Sequence, residues 1–252
     1  RFDINKDITQ LKKEFLWLKE MDDYCLKNAS TDLSVAYKNF FDSCKGKRPK
    51  VGFPKFKKKL SNQKYRTERY IKLDYNTSEI SIPKCKNIKA NIHQTFNGKI
   101  KSATVELKSS GKYYISILVE EEYTSKETKG QSIGVDLGLE YLLITSDGLK
   151  FKNPKHLLEK TNRAINMNQK ILSRKTKGSV NYEKQRLKLT KLYERKSNIR
   201  NDYYHNISRF LVDNYGAIYM EDLNINGMMA NKRLSKAIHE AAWNTLSTFI
   251  SY

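Results

Sequence analysis

The sequence predicts a multidomain α+β protein, because its hydrophobic pattern changes twice along the chain. Apolar residues recur at helical spacing up to about residue 46, alternate through residues 70–124, and from residue 132 form short runs followed by long amphipathic segments. At 252 residues the chain is long enough for more than one hydrophobic core. The predicted segments are a helical domain (1–46), a basic loop (47–69), an antiparallel β domain (70–124), a linker (125–131) and an α/β domain (132–252).

The charge of the chain indicates a polyanionic partner. Lys and Arg number 48 against 27 Asp and Glu, a formal net charge of +21. Such a surplus repels itself unless a polyanion offsets it, so nucleic acid is the predicted partner. No apolar run reaches transmembrane length and no secretory signal is visible, so we expect no membrane partner and a cytoplasmic location.

The cysteines and histidines do not predict a metal site. Cys25, Cys44 and Cys85 are widely spaced without a CxxC pair, and the four histidines lack metal-ligand spacing. We therefore expect neither a disulfide framework nor a zinc ribbon, and interpret the cysteines as small core residues.

The helical domain and the basic loop contain the first candidate nucleic-acid contacts. DITQLKKEFLWLKEM and LSVAYKNFF predict two amphipathic helices. In KGKRPKVGFPKFKKKLSNQKYR, Pro and Gly interrupt regular structure while lysines alternate with aromatic residues. Cations that neutralise phosphates and rings that stack on bases are typical of a nucleic-acid groove, although a solvated basic linker is the alternative. The candidates in this loop are Lys55, Lys57, Lys58, Lys59, Tyr65 and Arg66.

Residues 70–124 predict a small antiparallel barrel or sandwich. YIKLDYN, SEISIPK, IKANIHQ, GKIKSATVELK and KYYISILVEEE alternate or carry β-branched and aromatic residues, and SSG is a hairpin turn between the last two.

The last domain begins with IGVDLG, an apolar strand predicted to be central in its sheet, and YLLITSDGLKF, a hairpin with its turn at Ser-Asp-Gly. Two long helices follow, ending where Gly216 interrupts the pattern, and AIYMEDLN is a further strand that ends in acids. The tip between the helices, SRKTKGS, contributes the candidate nucleic-acid contacts Arg174, Lys175 and Lys177.

Asp136 interrupts an apolar strand, and an unpaired carboxylate inside a sheet is costly. It therefore either points from the strand end toward a ligand or closes a turn. Parallel strands present their carboxyl ends at one edge, so Asp136 and Glu221 are predicted to meet there and to hold Mg²⁺ or Mn²⁺. Two such ions could hydrolyse a phosphodiester, with Asp136 binding both and Glu221 one. Asp222 is interpreted instead as a turn or cap residue, and Glu140 and Asp147 as surface and turn residues.

GxDxG alone is a weak motif. It also resembles the phosphate-binding strand of actin-like ATPases, although Leu139 and Glu140 stand where those usually carry Thr or Ser. Over nearly its whole length, however, the chain resembles the TnpB family, RNA-guided nucleases encoded by insertion-sequence transposons and relatives of the type V CRISPR effectors. The similar segments, in family order, are LKKEFLWLKE, AYKNFF, GFPKFKKK, GKIKSATVELKSSGKYYISILVE, GVDLGLEYLLITSDG, KNPKHL, LSRKTKGS, VDNYGAIYMEDLNINGM and AIHEAAWNTL.

The resemblance implies a helical recognition lobe, a wedge barrel like an oligonucleotide-binding fold, and an RNase H-like RuvC nuclease domain with an inserted helical hairpin. It implies a monomer in a bacterial or archaeal nucleoid, a guide RNA from the transposon end, and double-stranded target DNA cut beside a short motif. Asp136 and Glu221 match the first and second acids of the family's catalytic triad.

The family's third catalytic aspartate and its zinc-binding cysteines lie beyond the helix containing Trp243, and the sequence stops soon after it. We therefore expect zinc only in that absent segment, an incomplete RuvC domain, and little cleavage by these residues alone. Two hypotheses follow: an RNA-guided DNA endonuclease, or a nuclease-deficient RNA-guided binder, such as a repressor or an inactive transposon remnant.

Overall fold

The structure is a computed structural model that describes residues 2–56, 63–122 and 130–251. Its contacts divide the chain into two compact units, Arg1–Thr124 and Ser125–Tyr252. None of the helices within the described residues is both long and apolar enough to cross a membrane.

The first unit begins with helices, as predicted. Helix α1 covers Phe2–Glu14, a 3₁₀ turn covers Leu16–Lys19, and α2 covers Asp23–Cys44. Asp22 caps α2, because its carboxylate accepts a 3.1 Å hydrogen bond from the Tyr24 amide. Many apolar side chains of these helices are exposed, so the two helices do not enclose a core of their own.

The glycine- and proline-rich segment after α2 folds back onto that helix. The ring of Phe53 packs edge-on against Tyr37 and Phe40, with ring centroids 5.5 and 5.2 Å apart. Phe53 nevertheless keeps more than half of its surface exposed. This aromatic residue is therefore held by protein contacts on one side only.

Residues 63–120 form two separate three-stranded antiparallel sheets. One has the order β1-β5-β6 and the other β2-β3-β4. The strands are β1 (Gln63–Thr67), β2 (Lys72–Asp74), β3 (Glu79–Ile82), β4 (Cys85–Lys89), β5 (Lys99–Leu107) and β6 (Tyr113–Glu120). The hairpin turn between β5 and β6 is as predicted, with Gly111 at φ 82° and its amide bonded to the Lys108 carbonyl.

The predicted barrel is wrong for the described residues, where no closed barrel forms. A barrel needs unbroken pairing from strand to strand. Residues 90–97, which include most of the predicted strand IKANIHQ, have no regular structure. The strands on either side of them, β4 and β5, do not pair with each other. The basic loop also differs from the prediction, because β1 lies within it and pairs with β5.

The second unit contains one four-stranded sheet in the order β10-β7-β8-β9. Its strands are β7 (Ser132–Leu137), β8 (Tyr141–Thr145), β9 (Lys150–Lys152) and β10 (Ala217–Met220). β10 pairs with β7 in parallel, whereas β8 is antiparallel to both β7 and β9. The predicted interior position of β7 and the β8–β9 hairpin are confirmed.

A long helical hairpin connects β9 to β10, as predicted. It consists of α3 (Lys155–Ser173) and α4 (Val180–Asn214). Between the helices, the buried Asn168 accepts a 2.9 Å hydrogen bond at Oδ1 from Gln185 Nε2. The second helix ends at Asn214 and Tyr215 is already extended, so the chain leaves the helix just before Gly216.

The core of the second unit lies where the sheet meets α4 and the last helices, α5 (Ile225–Met229), α6 (Ser235–Ala241) and α7 (Trp243–Ser251). The apolar side chains that fill it come from β7, β8 and these helices, which fixes the position of β7. Its buried members are Ile133, Val135, Leu142, Leu143, Tyr204, Ile207, Leu211, Ile238, Ala241, Trp243 and Leu246.

Candidate active site

The candidate site lies at the carboxyl ends of two neighbouring parallel strands. The register of β7 and β10 pairs Ala217 with Ser132 and Met220 with Val135. Continuing this register by one residue places Glu221 beside Asp136, on strands about 4.8 Å apart. The structure thus brings together the two acids that the sequence singles out, although 85 positions separate them.

The alternation of side chains along β7 explains how an acid fits into an apolar strand. Ile133 and Val135 are 2% and 6% exposed and point into the core, whereas Asp136 is exposed. Glu221, directly after β10, is exposed as well. Neither carboxylate bears the desolvation cost of a buried charge, and both are accessible to a ligand from solvent.

Both acids line one open cleft of about 470 Å³. Its wall and floor come from β7, the end of β8 and the end of β10. The lining residues are Gly134, Val135, Asp136, Ile144, Thr145, Ser146, Tyr219, Met220 and Glu221. Sequence reasoning missed Ser146 and Tyr219, although Tyr219 precedes Glu221 by two positions and so shares its face of the strand.

The cleft floor is fixed by backbone contacts at Gly134. Its amide donates a 3.1 Å hydrogen bond to Ser146 Oγ, and its carbonyl accepts one of 2.8 Å from the Ser146 amide. A Cβ on Gly134 would lie 3.6 Å from Ser146 Cβ, and the ring of Tyr219 on the paired strand is exposed. A ligand can approach the two carboxylates over this floor.

The second glycine of GVDLG fixes the end of β7. A Cβ on Gly138 would lie 2.7 Å from the backbone oxygen of Tyr141, so a side chain does not fit there. The Gly138 carbonyl also accepts a 3.3 Å hydrogen bond from Trp243 Nε1. These contacts hold the turn that follows Asp136.

The other acids near the motif lie outside the cleft. Glu140 and Asp222 are exposed, and Asp147 lies in the β8–β9 turn. Hydrogen bonds from the hydroxyls of Thr145 and Tyr215 hold the pKa of Asp147 below its usual value. The bond from Tyr215 links this turn to the residues just before β10, which is a structural role.

Two carboxylates suit a hard divalent cation. Mg²⁺ is commonly held by one or two carboxylates while water completes its shell, and an open cleft admits that water. Within the described residues, no group of three or more His, Cys, Asp and Glu side chains could hold a metal. The donor chemistry of Asp136 and Glu221 therefore fits Mg²⁺ or Mn²⁺ as a two-carboxylate site.

The candidate nucleic-acid contacts of the basic loop have different environments. Lys55 is exposed, whereas Lys57, Lys58 and Lys59 lie outside the described residues. Tyr65 is half-buried in β1, and this burial raises its pKa. The guanidinium of Arg66 contacts Asn28 Oδ1 at 3.2 Å and Glu68 Oε1 at 3.4 Å, so this cation already has protein partners.

The cations of the hairpin tip lie together between α3 and α4. Arg174 and Lys177 are exposed, and Lys175 is half-buried. Ser179 begins α4 by accepting a 3.1 Å hydrogen bond from the Tyr182 amide. The tip is thus a short cationic turn between two capped helix ends.

The chain is similar to one protein family and to several named relatives. Residues 114–232 match the family OrfB_IS605, described as "Probable transposase". The chain is 35% identical over 216 residues to "Putative RNA-guided DNA endonuclease InsQ" of Escherichia coli (strain K12), covering 85% of the chain and 52% of that relative. It is 28% identical over 251 residues to "Putative RNA-guided DNA endonuclease" of Streptomyces pristinaespiralis, covering 97% of the chain and 60% of that relative.

Residues 114–232, which include the strands of the second unit and both acids of the cleft, are thus similar to a transposase family. Together with the names of these two relatives, this similarity supports a relationship of the chain to the TnpB family. The chain spans between half and three fifths of the length of these two relatives.

Proposed function

We propose that this chain is part of an RNA-guided DNA endonuclease, in which Asp136 and Glu221 hold the metal that cuts DNA. The observation that carries the proposal is the register of β7 and β10, which ends at the residues directly before Asp136 and Glu221, two exposed acids that line one cleft. The names of two relatives, given as RNA-guided DNA endonucleases, support the choice of substrate.

Asp136 and Glu221 would bind Mg²⁺ or Mn²⁺ in this role, with Asp136 shared by two ions and Glu221 bound to one. When bound, such ions activate a water for attack and stabilise the leaving oxygen of a phosphodiester. The chain's own contribution is to hold both carboxylates on a rigid sheet edge. Gly138 and Trp243 hold the turn after Asp136.

Guide RNA and target DNA are the proposed partners, and the net charge of +21 supports a polyanionic ligand. In proteins that work in this way, base pairing by the guide reads most of the target, while the protein reads a short adjacent motif. Among the candidates that the structure describes, Lys55, Arg66, Arg174 and Lys177 are exposed, and Arg66 already has protein partners.

The test is a cleavage assay with the product of the complete reading frame and the RNA that copurifies with it. Asp136→Ala and Glu221→Ala should each abolish metal-dependent cutting of a matched duplex while RNA binding is kept. Asp222→Ala, next to the site, is the matched control and should still cut. Cleavage retained in Asp136→Ala would remove that residue from the site.

One result would favour the nuclease-deficient binder instead. If the wild-type protein binds guide RNA and matched DNA but never cuts with Mg²⁺ or Mn²⁺, guided binding is the activity of this protein.

A further inference from the structure

Four cations form a straight stripe along the outside of α4. Lys184, Lys188, Lys191 and Arg195 are spaced by four, three and four residues, and all four are exposed. At 100° per residue they lie within an arc of about 60°, and at 1.5 Å per residue they extend over about 16 Å of the helix. The buried residues of α4, such as Leu189, Ile207 and Leu211, lie on a different side of the helix.

Three arginines of the hairpin have an acidic partner, in contrast to the cations of the stripe. Arg163 pairs with Glu159, Arg186 with Glu183 at 2.7 Å, and Arg209 with Asp213 at 3.4 Å. In the part of the chain that the structure describes, none of the four stripe residues forms an ion pair.

The arrangement is unfavourable for the helix alone. Like charges three or four residues apart on a helix repel each other, and the stripe contains three such neighbouring pairs. No acid stands between its members on the same face, since Glu183 and Glu194 lie to one side. An external polyanion that follows the helix would relieve this repulsion.

We propose that this stripe binds the phosphate backbone of duplex DNA. The inference rests on the proposed function for the identity of the ligand as nucleic acid, and it adds a contact surface separate from the acid pair and from the hairpin tip. The contact is independent of base sequence, because lysines and arginines on phosphates position a duplex without reading it.

Duplex DNA fits the stripe better than a single strand. Sites for single strands combine cations with aromatic platforms on which bases stack. The positions that flank the stripe on its own face are Val180, Leu187, Asn198 and Asp202, none of them aromatic. A duplex needs no such platform, since its stacked bases are already covered.

Duplex DNA also fits better than duplex RNA. The DNA major groove is about 12 Å wide and admits an α-helix, whereas the deep, narrow major groove of an A-form helix does not. A 35-residue helix such as α4 can therefore follow a DNA groove edge with one row of cations.

The test measures binding to three labelled probes of one sequence: a 20-base-pair DNA duplex, its single strand and an RNA duplex. Wild-type protein is compared with a variant in which Lys184, Lys188, Lys191 and Arg195 are all Gln. The control replaces four exposed lysines scattered over other elements by Gln, namely Lys38, Lys86, Lys89 and Lys155. Both variants lose four positive charges, and circular dichroism checks that α4 is still formed.

For the DNA duplex, the stripe variant should bind more than about tenfold more weakly at 0.15 M salt, and its salt slope should flatten by up to about 3.6, or 0.9 per lost phosphate contact. The control variant should lose clearly less affinity for the DNA duplex. Equal losses for both variants would overturn the inference, as would a loss confined to the single strand or the RNA duplex.

Binding is measured in EDTA, so the outcome does not depend on catalysis. A protein that binds DNA through the stripe but never cuts would remove the endonuclease proposal and leave this inference in place. If the wild-type protein cuts DNA while the stripe variant binds duplex DNA normally, the endonuclease proposal stands and this inference is removed.

Discussion

Trp243 donates a 3.3 Å hydrogen bond from Nε1 to the carbonyl oxygen of Gly138, 105 residues earlier in the chain. Gly138 follows Asp136 by two positions, and Trp243 is only 3% exposed at the start of α7. The last helix of the described chain is thus bonded directly to the turn that positions the first candidate metal ligand.

Replacement of Trp243 should weaken both the fold and the site. Trp243→Ala should lower the free energy of unfolding of the second unit by about 3–5 kcal/mol, because a large buried side chain leaves a cavity. Denaturant unfolding followed by circular dichroism measures this change. The matched control is Trp17→Ala, since Trp17 is 60% exposed and its loss should change stability by less than about 0.5 kcal/mol.

Tyr204 should stabilise the fold more strongly than its neighbour Tyr203. The hydroxyl of Tyr204 is fully buried and donates to the Ala241 carbonyl, whereas that of the half-buried Tyr203 donates to the Lys152 carbonyl at 2.8 Å. Tyr204→Phe should therefore cost about 1–3 kcal/mol, because it also leaves a buried carbonyl unpaired. Tyr203→Phe should cost less in the same denaturant titration. Equal costs would contradict the difference in burial.

The free energy of unfolding at alkaline pH should also depend on Tyr204. Burial raises the pKa of Tyr204 to about 12, above the usual value near 10. Its contribution to stability is thus fully present below about pH 10 and is lost as pH rises toward 12. The unfolding free energy of Tyr204→Phe should fall less steeply over this range than that of the wild type.

The bond between Asp147 and Tyr215 should make the second unit sensitive to acid. Hydrogen bonds from Thr145 and Tyr215 lower the pKa of Asp147, so their contribution is present above the carboxyl's usual pKa near 4 and is lost as pH falls through the lowered value. Tyr215→Phe should reduce the loss of thermal stability between pH 5 and pH 2. Asp147→Asn should remove this contribution altogether, and an unchanged acid profile in both variants would exclude the bond as a source of stability.

The sequence predicted the strands and helices of the second unit well, because their local patterns agree with their packing. IGVDLG is apolar where β7 faces the core, and the hairpin helices keep helical spacing over many turns. The meeting of Asp136 with the acid after β10 was also predictable, since parallel strands align their carboxyl ends.

The predictions for the first unit were poorer for a physical reason. Alternation identifies strands but does not specify which strand pairs with which, so the two separate sheets were not foreseen.

The burial of the cysteines was also not predictable from the local sequence. Cys25 is half-buried, as a core residue would allow, but Cys44 and Cys85 are exposed, which corrects their interpretation as core residues. The contacts of Ser146 and Trp243 depend on tertiary packing and have no local signal, whereas the place of Tyr219 two residues before Glu221 in a strand was a signal in the sequence.

The central claim is that Asp136 and Glu221 form one metal site, and Mn²⁺ binding followed by electron paramagnetic resonance tests it most directly. Residues 1–252 should bind Mn²⁺ in competition with Mg²⁺, and both Asp136→Asn and Glu221→Gln should weaken this binding at least about tenfold. Asp222→Asn and Asp147→Asn, which remove nearby exposed carboxylates, should bind as the wild type does. The claim would be contradicted if Asp136→Asn bound Mn²⁺ with wild-type affinity. It would also be contradicted if Asp222→Asn lost affinity for Mn²⁺ while Glu221→Gln did not.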